Sequence, residues 1–227
     1  MPTDLSALPS PLAVLFDLDG TLVDTVETRI QSWAEVLAAF GLPATRDRLA
    51  PLIGVDGKRL AREIAAIHGS PIDDARAEEI DRRAGERYEE LNRSPRPLPG
   101  FIGLVETLER GGIIWAIATS SRKEQVATSV AALGLARQPR IVDGSDVKHA
   151  KPEPDLLLLA AERLGVEPAR CWYVGDSTWD MVSAVAAGMI AIGVTAGAAV
   201  DAATLEGAGA TAVVGGLAEL TATLSPG

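Results

Sequence analysis

The stretch "VLFDLDGTLVDT", Val14 to Thr25, ends an apolar run on two aspartates and then turns through a glycine and a threonine. Val14, Leu15 and Phe16 read as a buried strand, and Asp17 and Asp19 stand where that strand runs out. Two carboxylates two residues apart repel each other unless something positive lies between or beside them. The rest of the chain has to supply that charge.

Outward from this stretch, short apolar runs recur as "IIWAIAT", "PRIVDG", "CWYVGD" and "MIAIGVT". Helical patterns lie between them: "VETLERGG", "KEQVATSVAALGL", "PDLLLLAAERLG" and "DMVSAVAAG". Strands alternating with helices predict an α/β fold, a parallel sheet covered on both faces. Ligands of such sheets bind beyond the carboxyl ends of the strands, so the polar residues there carry the chemistry. The spacing is uneven. Asp17 to Thr119 spans 102 residues, against 32 from Thr119 to Lys151 and 25 from Lys151 to Asp176. A strand-helix-strand unit needs about 30 residues, so roughly 70 are inserted after the first strand.

The insert has its own helical texture. Asp24 with Glu27 predicts a capping box, after which Val26, Ile30, Trp33, Leu37 and Phe40 mark one apolar face. "KRLAREIAAIHG" and "ARAEEIDRRAGERYEELN" predict two more helices, and "SPRPLPG" closes the segment. Between residues 25 and 96 there are 12 Lys and Arg against 13 Asp and Glu; the rest of the chain has 9 against 18. The insert is near neutral and the remainder acidic.

A length of 227 residues is enough to bury a core, and the net charge of −10 argues against nucleic acid or an anionic membrane as partner. The single cysteine, Cys171, rules out an intramolecular disulfide and fits a reducing, cytoplasmic setting. It reads as a small buried apolar residue. "MPTDLSALPSPL" lacks a basic segment and a long apolar run, so it reads as a loose terminus and not a signal peptide. No run of eighteen apolar residues predicts a membrane span. His68 and His149 have no companion of metal-ligand spacing, which argues against zinc or histidine chemistry.

Four strand ends carry polar groups: Asp17 and Asp19; Thr119 and Ser120 in "ATSSRK"; Lys151 in "KHAKPEPD"; Asp176 and Asp180 in "VGDSTWD". Alone, each has a bland reading: a turn, a solvated lysine, a helix-terminal charge. Together and in this order they resemble the haloacid dehalogenase superfamily, and the long insert is similar to its subgroup with a helical cap. The resemblance implies a Rossmann-like, doubly wound core of residues 1–24 and 97–227, with a cap of residues 25–96. It makes Asp17 the nucleophile toward phosphorus. It assigns magnesium to Asp17, the Asp19 main-chain carbonyl and Asp176, with Asp180 in support. Thr119 and Ser120 are expected to bind phosphoryl oxygens, and Lys151 to supply a fixed positive charge. Metal and lysine would then offset the repulsion at Asp17. Asp19 is the expected general acid and base, which favours phosphate chemistry over dehalogenation.

The substrate is expected to be a small phosphorylated metabolite, phosphoglycolate or a sugar phosphate, bound by a monomer or homodimer. Lys58 and Arg59, in the cap loop "LIGVDGKRL", and Arg29 are candidate contacts to its leaving group, suited to a carboxylate or to several hydroxyls. The segment also resembles β-phosphoglucomutases, but that family has histidine where this chain has Arg29 and arginine where it has Gly57. Both departures weaken a phosphotransferase reading. Receiver modules of two-component signalling, which are phosphorylated without turnover, share an aspartate, a Thr/Ser and a lysine, yet lack the inserted helices.

Overall fold

The apolar run before Asp17 is the centre of the sheet. In the computed structural model, which describes residues 5–224, β1 (Ala13–Phe16) is wholly buried. It pairs in parallel with β2 (Ile114–Ala118) on one side and β4 (Cys171–Gly175) on the other. Its side chains alternate between two cores: Val14 and Phe16 enter one, Ala13 and Leu15 the other. That period of two on a strand covered on both faces produces an unbroken apolar sequence.

Between β1 and β2 come α1 (Val26–Ala39), α2 (Arg46–Leu49), α3 (Gly57–Ile67), α4 (Asp74–Leu91) and α5 (Phe101–Arg110). After β2 follow α6 (Lys123–Ala132), β3 (Ile141–Val142) and α7 (Asp155–Leu164), then β4, α8 (Thr178–Ala186), β5 (Ile190–Val194), α9 (Ala202–Gly207), β6 (Ala212–Val214) and α10 (Leu217–Leu224). The sheet is six-stranded, in the order β3-β2-β1-β4-β5-β6, and every pair is parallel. This is the doubly wound Rossmann order, whose direction reverses between β1 and β4. Asp17 follows β1 and Asp176 follows β4, so both lie at the switch point. Leu104, Leu108, Leu217 and Leu220, from α5 and α10, cover one face; Leu156, Leu157, Met181 and Leu205, from α7, α8 and α9, cover the other.

Helices α1 to α4 enclose a third core that includes Ile30, Trp33, Leu37, Leu60, Ile64, Ile80 and Ala84. The chain leaves for these helices and returns through adjacent backbone: Asp24 N donates to Arg96 O at 2.9 Å and Leu98 N to Leu22 O at 2.8 Å. Trp179 of α8 packs against this third core and donates its indole N–H to Pro51 O at 2.8 Å.

Some expectations change. No capping box forms at Asp24 and Glu27: Thr25 is the residue before α1, without a side-chain cap, because its hydroxyl is drawn to Asp19 instead. Working side-chain caps stand at Asp56 and Asp73, at the starts of α3 and α4. Residues 1–4 of the expected loose terminus lie outside the described residues. The next few are held to the core, since Leu5 is buried and Trp172 donates to Pro9 O at 3.1 Å. Strand β6 has only three residues, too few for an apolar run to announce. No helix among the described residues is long and apolar enough to cross a membrane.

Candidate active site

The four polar segments converge, although Lys151 is not at a strand end as expected: it lies in the loop between β3 and α7. Lys151 is fully buried, 0 % exposed, and Asp17 is 4 % exposed. The Lys151 Nζ donates to Asp17 Oδ1 and to Asp180 Oδ1, each at 2.6 Å, and to Tyr173 OH at 3.0 Å. Tyr173 OH in turn reaches Ala118 O and Asp180 Oδ1, each at 3.0 Å. Burial disfavours the ammonium, but Asp17 and Asp180 outweigh it and hold Lys151 charged. This cation answers part of the repulsion that the sequence posed.

Asp180 is fully occupied. Its Oδ2 accepts from Ser177 N at 2.9 Å and Ser177 Oγ at 2.7 Å, completing a capping box at the start of α8. It therefore braces Lys151 and the loop after β4. Asp176 accepts from Thr21 Oγ1 at 3.0 Å. Gly20, at φ +82°, brings the backbone against Asp176: a Cβ there would lie 2.3 Å from Asp176 Oδ2. Only glycine fits that approach.

Ligand atoms of Asp17, Asp176 and Asp180 lie within 4.8 Å of one another. Burial, then Asp180 and Asp17, push the Asp176 carboxyl well above its ordinary value. Burial pushes Asp17 up to about 7 even against the pull of Lys151. Hard oxygen donors crowded at the cost of raised carboxyl pKa suit a small divalent cation such as magnesium. With Asp180 engaged elsewhere, Asp17 and Asp176 are the carboxylates available to hold it. The Asp19 carboxylate is not in this cluster.

Asp19 is instead enclosed by four donors. Its Oδ1 accepts from Thr25 Oγ1 and Tyr88 OH, both at 2.7 Å. Its Oδ2 accepts from Arg29 Nη2 at 2.7 Å and Ser121 Oγ at 2.8 Å. Burial pushes this carboxyl up, but Arg29 first, then Thr25, Tyr88 and Ser121, outweigh it and hold it below its ordinary value. Arg29 lies 3.5 Å above the Tyr88 ring and also donates to Gln125 Oε1 at 3.2 Å. Tyr88 is itself tied to Asn92 and Ser129.

A narrow cavity of about 70 Å³ opens between these groups and the inserted helices. Asp17, Asp19, Arg29, Thr119, Ser120, Lys151 and Asp176 line it. Ser120 Oγ is, among the described residues, the buried side-chain polar atom left without a hydrogen-bond partner. Lys58 lies in an adjoining outer groove and pairs with Glu78 at 3.5 Å. Arg59 lines neither cavity: it pairs with Glu63 at 2.8 Å and lies 4.7 Å above the Trp179 ring.

Sequence reasoning missed Thr25, Tyr88, Ser121 and Gln125. Ser121 adjoins the Thr119 motif and Thr25 ends the opening stretch, so position alone pointed to both. Tyr88 carried a subtler signal, a hydroxyl on the same helical face as Ala77, Ile80 and Ala84, which are buried.

The chain belongs to the haloacid dehalogenase-like hydrolase family, whose pattern matches residues 14–194. It is thus an enzyme of a hydrolase family, with phosphatases among its relatives. It is 33 % identical over 178 residues to an N-acetylmuramic acid 6-phosphate phosphatase of Pseudomonas aeruginosa, covering 78 % of each chain. It is 36 % identical over 182 residues to a phosphoglycolate phosphatase of Xylella fastidiosa, covering 79 % of this chain and 78 % of that one. The crystal structure of a hydrolase from Pseudomonas syringae superposes with a TM-score of 0.87 at 34 % identity, over 92 % of this chain and 95 % of that one.

Proposed function

We propose that the protein is a magnesium-dependent phosphatase that hydrolyses phosphate monoesters of small metabolites through an aspartyl phosphate on Asp17. The observation that carries this reading is Asp17 paired with buried Lys151 at 2.6 Å, in a cavity whose other wall is helical. Phosphatase relatives acting on phosphoglycolate and on a sugar phosphate support it, and a cavity this narrow suits a small ester better than a protein or nucleic acid. Residues 25–96 are the cap that closes over it. The buried thiol of Cys171 suits a cytoplasmic setting.

Magnesium, when bound, would be held by Asp17 and Asp176 and would neutralise charge on the phosphoryl group. A carboxylate oxygen of Asp17 forms the bond to phosphorus as the ester oxygen departs with its electron pair. Lys151, Thr119 and Ser120 hold the phosphoryl oxygens, and the orphan hydroxyl of Ser120 gains the partner it lacks. Water then attacks phosphorus, its proton passes to Asp19, and Asp17 is released with inorganic phosphate. Asp19 is held ionised in its present setting, the form that accepts this proton. To protonate the departing ester oxygen in the first step it must take up a proton, which weakens its tie to Arg29. The test is hydrolysis of an aryl phosphate after chelation, followed by magnesium titration. Activity should vanish and return; full activity in excess chelator would remove the metal from the account.

A further inference from the structure

The next step rests on the phosphatase reading and concerns the group to which the phosphate is attached. Away from the strand ends, Trp33, Leu52, Ile53, Val55 and Leu60 form an apolar wall interrupted by one acid, Asp81 of α4. The Asp81 side chain is 15 % exposed. Its Oδ2 accepts from Arg122 Nη2 at 2.7 Å. Its Oδ1 takes no hydrogen bond among the described residues and faces the bare Cα of Gly57. A Cβ on Gly57 would come within 1.9 Å of that oxygen and 3.2 Å of Trp33 Cζ2. The bare Cα of Gly57 thus lets the Asp81 carboxylate lie where a side chain would be, and leaves an unused acceptor near an aromatic ring on the cavity wall.

Two cavities adjoin at this wall. Gly57, Asp81, Ser120 and Gln125 line both the inner cavity and a polar outer groove of about 340 Å³. Charge decides what suits the two cavities. Arg29 is matched by Asp19, Arg122 by Glu78 and Asp81, and Lys58 by Glu78. Lys148 borders the outer groove alone. A short carboxylate-bearing leaving group held in the inner cavity would sit against the apolar wall, beside Asp81, where the described cations, Arg29 and Lys151, are already paired. A hydroxyl meets an acceptor there, and a sugar's carbon face meets Trp33.

We infer that the leaving group is neutral and polyhydroxylated, a sugar or polyol that donates a hydroxyl to the free oxygen of Asp81, which the bare Cα of Gly57 holds in place. Asp81 is then the residue that selects sugar phosphates over phosphoglycolate. The experiment measures kcat/KM for a hexose phosphate, phosphoglycolate and an aryl phosphate in the wild type, Asp81→Asn and Gly57→Ser. The wild type should favour the hexose phosphate over phosphoglycolate by ~10-fold or more, the discrimination expected of a site built to bind hydroxyls. Each variant should lower that ratio by about 10-fold, whereas damage to the fold alone would lower both rates and keep the ratio. A wild type that prefers phosphoglycolate, or a ratio unchanged in both variants, overturns the inference. If no ester is hydrolysed, the aryl phosphate included, it is the phosphatase reading that fails.

Discussion

At the scale of single residues, the site is a contest between burial and charge. Asp17, Asp176 and Asp180 are buried within reach of one another, and the lysine that offsets them is buried too. Removing one partner of such a cluster leaves uncompensated charge, which costs about 3–5 kcal/mol. Lys151→Met should therefore abolish turnover and lower unfolding free energy by roughly that amount, read by urea denaturation. A variant of wild-type stability would show that Asp17 and Asp180 do not rely on Lys151 for compensation. The strand-end aspartates and Thr119 were legible in the sequence, because their place at the ends of apolar runs is a local property, whereas Lys151, in the loop after β3, was marked only by the family resemblance. Asp81 was not. It sits on a charged helix face among Glu78, Glu79, Arg82 and Arg83, and only the tertiary fold turns it toward Gly57.

At the scale of elements, the first inserted helix and the fourth meet at the Asp19 carboxylate. Arg29 of α1 stacks on Tyr88 of α4, and both donate to Asp19. Since Asp19 titrates lower folded than unfolded, its contribution to stability is complete above about pH 4 and is lost as pH falls through the folded value. Arg29→Gln removes the leading charge that outweighs burial, so the carboxyl rises and acid unfolding should begin at higher pH. A circular dichroism titration reads this; an unmoved midpoint would mean that the hydroxyl donors suffice. The long helices and four of the later strands could be read from periodicity and apolar runs. The uncapped start of α1 at Thr25 and the three residues of β6 could not, because a tertiary partner, Asp19 or β5, decides them.

For the whole molecule, the insert and the sheet are joined by polar contacts that surround the cavity. Arg122 of the core bridges to Glu78 and Asp81, Asp56 N donates to Lys151 O, and Trp179 reaches Pro51. Polar seams of this kind separate at less cost than an apolar interface, which suits the proposed role of residues 25–96 as a cap. The central claim is that turnover of the intact enzyme passes through a covalent phosphate on Asp17, and it has a direct measurement. Asp19→Asn should slow hydrolysis of the intermediate by ~10²–10⁴-fold, so acid quenching of that variant with magnesium and an aryl phosphate should trap it. Mass spectrometry should then find one phosphoryl group on the peptide bearing Asp17, absent when Asp17→Asn is added. A phosphoryl group on another residue, or near wild-type turnover by Asp17→Asn alone, would contradict the account.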